Sequence, residues 1–380
     1  MGRPSIVDPI LDLLLRRLAG GSWAPGTTVP ATRQLAAEFD VSRKPLQAAL
    51  KRAARHKLLE VRERRPVVVL PGAQERAKRL LVRQLKRLAV RRVAVLIPDD
   101  FLPLAERSAI WAAMVGTLAR EAPGKQMQTR VVAWPAREQV AIARSLAPKG
   151  YAAAIFLGFK PEYLVSLSLL REQGFPVVIF NRRVPGLDVP TVVMDDYAAS
   201  QNLADRLVKL GHRNLCMVSN RGSPEDDIPY ERVGGWLDYV KDNGLLDTCS
   251  MPVYVPVWPL HLGVWNRMFT GVFHSRNRPT ALVFSHSPWA KSFLADPQFA
   301  DLEVPRDISL VTFEPTRSIP TAPWCPPLTT VQIDHQRTAQ CMIEMIDKML
   351  GGEPHPPTIR VPLTVTLTGS IGEAPADRAP

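Results

Sequence analysis

The residues best suited to holding a polyanion lie between Arg43 and Arg52. Leu46, Ala49, Leu50 and Ala53 recur there at helical spacing and face inward, which leaves Arg43, Lys44, Gln47, Lys51 and Arg52 on the outer face. Arginine and lysine hold phosphates, and side chains at the start of such a helix can reach base edges. The charge balance agrees. Residues 1–90 hold 19 Lys and Arg against 7 Asp and Glu, whereas the rest of the chain holds 29 of each sign, so the whole net charge of +12 sits at one end. A basic solvated arm would carry the same charge. Here, however, the cations are interleaved with Leu, Ile, Val and Ala at folding spacing, which favours a folded polyanion-binding module.

Catalytic chemistry has no comparable carrier. The sequence contains no GxGxxG, no P-loop lysine motif, no HExxH and no GxSxG, and its seven histidines lack ligand spacing. No enzymatic activity, metal or cofactor is expected. Cys216, Cys249, Cys325 and Cys341 are scattered without a CxxC pair, which suits buried reduced thiols better than a disulfide framework or a zinc site. Asp8, Pro9 and Asp12 interrupt the early leucines, so there is no signal-peptide run, and no later stretch is long enough to span a bilayer. The cytoplasm is the expected location, with no membrane partner.

The basic residues need elements to position them. Ile6, Ile10, Leu13, Leu14 and Leu18 predict a packing helix that stops at Gly20-Gly21. After a turn-rich stretch from Trp23 to Pro30, Thr32 reads as the cap of a short helix through Leu35, Ala36 and Phe39. A turn at Asp40-Val41 follows, and Ser42 reads as the cap of a second helix from Arg43 to about Arg55. Two helices joined by a tight turn, the second basic at its start, meet the requirement of a helix-turn-helix. Leu58–Val61 and Val67–Leu70 then predict two short strands forming a wing around Arg62-Glu63-Arg64-Arg65-Pro66.

The segment PGTTVPATRQLAAEFDVSRKPLQAALKRAARHKLL resembles the GntR-type winged helix over roughly residues 5–71. The order of Pro25-Gly26, Pro30, Arg33, Leu35-Ala36, Val41-Ser42-Arg43 and Ala49-Leu50 carries the resemblance. It implies that Arg33, Ser42, Arg43, Lys44 and Gln47 contact DNA, with Arg62, Arg64 and Arg65 at the wing near the minor groove or phosphates. Lys57 and the Glu63-Arg64-Arg65 run stand where that family commonly has glycine. Residues 72–90, with Leu81, Leu85 and Leu88 at helical spacing, predict a linker helix packing on either domain or on a symmetry mate.

From Arg91 the pattern changes to short apolar runs alternating with helical stretches. The runs are Val93–Ile97, Val131–Trp134, Ala152–Leu157, Val177–Phe180, Thr191–Val193, Leu215–Val218, Ala281–Phe284 and Leu310–Phe313. Such runs argue for parallel sheets built from βαβ units, with ligands beyond the carboxyl ends of the strands. The fold class is therefore α/β, a winged helix-turn-helix followed by a two-lobed domain. The expected boundaries are 1–71 for the head, 72–90 for the linker, 91–372 for the large domain and 373–380 for a tail.

FPVVIFNRR, VVMDDYAASQNLADRLVKLGHRNLCMVS, ERVGGW, RPTALVF, VPRDISLVTFE and PPLTTVQIDHQRTAQCMIEMIDKML resemble, over about residues 90–372, the LacI-type sensor domain, which is similar to periplasmic sugar-binding proteins. The resemblance implies two lobes with three crossovers, the chain returning to the first lobe after Phe313 and to the second near Val331. It places an effector between the lobes, touched by Asp99, Asp100 and Phe101, by Arg182 and Arg232, and by two strand ends of the second lobe. At those ends Ser285-His286-Ser287 stands where the family usually has Asn-Asp, and Thr312-Phe313-Glu314 where it has Gly-Phe-Asp. The ligand is thus either altered, with Trp258 or Trp289 as an aromatic platform, or no longer bound. His212, in the Gly-His-Arg signature, reads as a structural residue meeting carbonyls at a helix end.

These expectations describe a transcription regulator, read as a repressor, that binds double-stranded operator DNA as a homodimer and answers to a small-molecule, carbohydrate-like effector. Two rivals stand beside it. A solute-binding protein would use the same two-lobed fold, and a non-specific nucleic-acid binder would share the charge.

Overall fold

The computed structural model describes residues 7–62, 65–86, 90–102, 109–184, 186–219, 227–256, 265, 267–314 and 324–376. Near the N-terminus, α1 (Val7–Ala19), α2 (Thr32–Glu38) and α3 (Arg43–Arg55) enclose an apolar core in which Leu14, Leu35, Leu46 and Ala49 are fully buried. Two strands, β1 (Leu59–Glu60) and β2 (Val68–Val69), pair antiparallel as the wing. Each is shorter than the four-residue run predicted. The Thr27–Val29 segment compensates, since Val69 donates to the Thr27 carbonyl and Val29 to the Val67 carbonyl at 2.9 Å each.

Both expected helix caps are corrected. The Ala31 carbonyl already accepts the first helical bond, from Leu35, so Thr32 lies inside α2 rather than capping it. Ser42 does occupy the N-cap position of α3, but its hydroxyl makes no capping bond. The linker forms α4 (Ala73–Lys86), and it belongs to the head, because Ala73 and Ala77 are fully buried in the head core.

The chain divides into two compact units, one of residues 1–192 and 335–359, the other of residues 193–334 and 360–380. In the first, β3 (Arg91–Pro98), β4 (Met127–Trp134), β5 (Tyr151–Phe156), β6 (Val177–Phe180) and β7 (Thr191–Met194) pair in parallel. With β13 (Thr358–Val361) they form a sheet in the order β13-β7-β6-β5-β3-β4. Its helices are α5 (Ala109–Glu121), α6 (Gln139–Leu146), α7 (Leu164–Glu172) and α12 (His335–Gly351). Strand β5 is buried along its whole length, as a run of Ala, Ile and Phe covered on both faces should be.

In the second unit the sheet order is β14-β12-β11-β10-β8-β9. The strands are β8 (Leu215–Val218), β9 (Val253–Tyr254), β10 (Ala281–Phe284), β11 (Ser309–Phe313), β12 (Thr329–Ile333) and β14 (Leu363–Thr366). All pair in parallel except β14, which runs antiparallel to β12. The helices are α8 (Asp196–Lys209), α9 (Asp227–Asp242), α10 (Arg267–Phe273) and α11 (Ser287–Ala295).

Three crossings between units occur, but two lie later than expected. After Phe313 the chain stays in the second unit, because β12 pairs with β11 in the register Val311 to Thr329. It returns to the first unit only at His335 and re-enters the second at Arg360.

Candidate nucleic-acid interface and ligand-binding residues

On the head, the apolar side of α3 is fixed by burial of Leu46, Ala49, Leu50 and Ala53, and its opposite side is wet. Arg43, Lys44 and Gln47 are exposed there, Ser42 stands exposed at the N-cap, and Arg33 is exposed on α2. The first turn of α3 contains no acidic residue. Among the described residues none forms an ion pair with Arg33, Arg43 or Lys44, so their charge remains available to a polyanion. The turn before α3 depends on Asp40 in the left-handed region (φ 52°). Such a conformation suits the short polar side chain of aspartate.

At the wing, Arg62 pairs with Glu60 and Arg65 is exposed; Arg64 lies outside the described residues. Lys57, at the position where glycine is common in similar winged helices, adopts φ 57°. The backbone there needs the left-handed region, which glycine enters at little steric cost. Arg76 of α4 helps hold it by donating to the Lys57 carbonyl.

The second unit assembles a different kind of site at the carboxyl ends of its strands. Arg232 of α9 is only 5% exposed, and its Nε donates to the Asp196 carboxylate at 2.7 Å. Its Nη1 donates to the Ser285 carbonyl after β10, and its Cζ lies 4.4 Å from the centroid of Phe313 on β11. This reach depends on Gly235. A Cβ there would sit 2.2 Å from the Tyr197 carbonyl oxygen, so only glycine lets α9 approach α8 closely enough.

Around this pair stand His286, Ser287 and Glu314. The Ser287 hydroxyl donates to Glu314 Oε2 at 3.3 Å, and the Ser285 hydroxyl shares a 3.1 Å hydrogen bond with His286 Nδ1. His286 Nε2 lies 3.8 Å from Glu314 Oε1. Burial, helped by the nearby Arg232 charge, pushes the His286 imidazole down to about 3, so it is neutral at ordinary pH. Burial pushes the Glu314 carboxyl up, against the pull of Arg232. Glu314 also sits at φ 89°, a rare conformation for a side-chain-bearing residue, of the kind retained where the surroundings dictate it.

In the first unit, Asp100 pairs with Lys160, and the Lys160 ammonium lies 5.0 Å from the centroid of the Phe101 ring. Phe101 packs edge-on against Trp111, which meets Phe180 in the same way. Asp99 is exposed beside Asp100, and Arg182 is half-buried just beyond β6.

Two aromatic candidates fare differently. Trp289 is 3% exposed within the core of Phe293 and its neighbours, so it is no platform for a ligand. Trp258 lies outside the described residues. His212 is fully buried, with Nδ1 bonded to Thr280 Oγ1 at 2.9 Å and Nε2 to the Gly372 carbonyl at 3.1 Å. It is structural, although its carbonyl partner belongs to the C-terminal segment rather than a helix end. All four cysteines are buried, and none forms a disulfide among the described residues.

Sequence reasoning missed Asp196. The signal for Asp196 was present in the Asp195-Asp196 pair, the N-cap and first residue of α8. Asp195 accepts from the Ala198 amide as a helix cap, and only tertiary packing assigns the second acid to Arg232.

Three family models match the chain. Residues 7–69 match "Bacterial regulatory proteins, gntR family", residues 90–256 match "Periplasmic binding proteins and sugar binding domain of LacI family", and residues 204–371 match "Periplasmic binding protein-like domain". The transcriptional repressor CytR of Escherichia coli is 26% identical over 200 residues, covering 52% of this chain and 56% of that protein. The regulator MalR of Streptomyces coelicolor is 26% identical over 211 residues, covering 55% of this chain and 60% of that protein. The chain thus matches little more than half the length of these curated relatives. Among solved structures, a cellobiose complex of the regulator CelR has a TM-score of 0.57 at 18% identity, covering 90% of this chain and 100% of that one. A sucrose-bound CcpA from Weissella paramesenteroides has the same TM-score at 16% identity, covering 74% and 99%. The chain carries a GntR-type helix-turn-helix domain followed by a LacI-type periplasmic-binding-like domain. The proteins it resembles are transcription regulators, not enzymes.

Proposed function

We propose that this chain is a sequence-specific, DNA-binding transcription regulator, acting as a repressor whose grip on its operator is set by a small polar effector. The observation that carries the reading is the start of α3. Arg43, Lys44 and Gln47 project from a buried-face helix into solvent, with no acid in the first turn and no ion pair among the described residues to occupy Arg43 or Lys44. The N-terminal end of such a helix enters the major groove, where arginine and glutamine pair bases and lysine holds phosphate. Arg33, Arg62 and Arg65 supply flanking phosphate contacts.

The effector reading rests on the second unit. Arg232 already spends its Nε on Asp196 and its Nη1 on the Ser285 carbonyl, and the neutral His286 with the Ser285 and Ser287 hydroxyls offers both donors and acceptors. A site of this kind suits an uncharged polyhydroxyl ligand, with Glu314 accepting from its hydroxyls. Similar folds bind sucrose and cellobiose, which supports a carbohydrate here. The regulator acts as a homodimer, so that two heads meet two halves of a palindromic operator. By linkage, an effector that lowers operator affinity must itself bind less tightly to the operator complex.

Selection of bound duplexes from a random pool by the full chain, at near-physiological salt, tests the DNA reading. Enrichment of a palindromic motif is expected. A pool that stays random, with and without a panel of mono- and disaccharides, would remove it.

A further inference from the structure

We propose that a cavity within the first unit, between the DNA-binding head and the first sheet's α7 side, is a second small-molecule site, built for an amphipathic carboxylate anchored on Arg16. This site is separate from the Arg232 cluster and does not depend on the reading given for it. The cavity measures about 450 Å³, a size typical of small-molecule sites. The head contributes α1 and α4, and the opposite wall comes from α7, the turn at Gly174–Val177 and the end of α12.

Most of the wall is apolar, with Leu81 on the head side and Leu167, Phe175, Val189 and Leu350 opposite. Arg16 is the exception. It is 3% exposed, its Nε donates to Asp12 at 2.7 Å, and its Cζ lies 5.2 Å from the Phe175 centroid. Among the described residues none accepts a hydrogen bond from its Nη nitrogens. Asp12 takes the Nε side, which leaves the Nη pair in the geometry that receives a planar carboxylate through two parallel bonds. Of the charged residues at the rim, Lys78 is engaged by Glu75 at 2.8 Å, and Arg171, Asp188 and Glu353 line the same cavity.

Position gives the site its consequence. Gly174 packs directly on α1, where a Cβ would lie 2.9 Å from the Arg16 carbonyl oxygen, and the Ser22 hydroxyl donates to the Glu172 carbonyl at 3.0 Å. A ligand in the adjacent cavity would touch both sides of this seam and tighten the hold of the head on the unit.

The test is calorimetric titration of the full chain with octanoate, with octan-1-ol and octylammonium as controls of the same apolar body. Octanoate should saturate one site per chain and bind about tenfold or more tightly than either control, as expected for one charge-assisted bidentate contact. Arg16→Met should bring octanoate to the level of the alcohol. Should that variant fold poorly, Leu81→Trp decides, because it narrows the cavity from a half-exposed wall position and should weaken octanoate at least tenfold by steric exclusion. Absence of saturable octanoate binding overturns the proposal, as does equal binding of octylammonium or unchanged octanoate affinity in Leu81→Trp.

Discussion

The head and the second unit present their polar residues in opposite ways. On α3, Arg43, Lys44 and Gln47 are exposed above the buried face, and among the described residues none forms an ion pair with Arg43 or Lys44. Around Arg232 the polar groups are buried and already satisfy one another through Asp196, the Ser285 carbonyl and the Phe313 face. A partner covered in phosphates supplies its own counter-charges, so a DNA-facing surface can leave its cations unpaired. A site that receives a small neutral ligand must be pre-organised before the ligand arrives, and its charges must be balanced from within.

Mutation should expose that contrast. Asp196→Ala leaves Arg232 buried without its acid and should cost about 3–5 kcal/mol of stability, the usual penalty for breaking a buried pair from one side. Denaturant unfolding measures it, and a loss below about 1 kcal/mol would show that the pair is wet. Arg43→Ala should do the reverse. Operator affinity should fall by about 1–3 kcal/mol with relaxed preference at one base pair, while stability should stay within about 0.5 kcal/mol of the parent.

Lys44→Ala sharpens the same distinction within α3. As a phosphate contact it should weaken all duplexes alike and reduce the salt dependence of binding by about one unit of slope, which anisotropy titrations across a salt series would reveal.

The pH dependence follows from His286. Its folded value lies at about 3, below the ordinary 6.5, so under acid the unfolded chain binds the proton more readily than the folded one. Its effect is therefore a loss of stability as pH falls from 6.5 toward 3. His286→Asn should flatten that part of the profile, and an unaltered profile would mean that the imidazole is solvated. The smallest effect is expected at Lys57→Gly, which relieves the left-handed backbone at φ 57°. A gain of up to about 1 kcal/mol is expected, limited by the entropy glycine adds to the unfolded chain; a loss would show that the lysine stem packs usefully.

Legibility in the sequence divided along similar lines. Helix α3 was readable to its ends, and β6, β8 and β10 to the residue, because helical and buried-strand periodicities are local. The crossings at His335 and Arg360 were not, since nothing local marks β12 as a neighbour of β11 rather than a strand of the other unit. The same holds for Asp196. Its partner lies 36 residues away, and their meeting depends on the close approach that Gly235 allows. Trp289 shows the same limit, since a tryptophan after a strand end can face a ligand or the core and only packing distinguishes the two.

Sequence-specific DNA recognition is the central claim, and it is tested most directly by titrating the full chain, across a salt series, with the selected operator and with a scrambled duplex of equal length. The operator should bind at least about 10³-fold more tightly at physiological salt, and this ratio should fall sharply in Arg43→Ala. Equal affinity for both duplexes, with the same salt slope, would contradict the claim and leave only charge-driven binding.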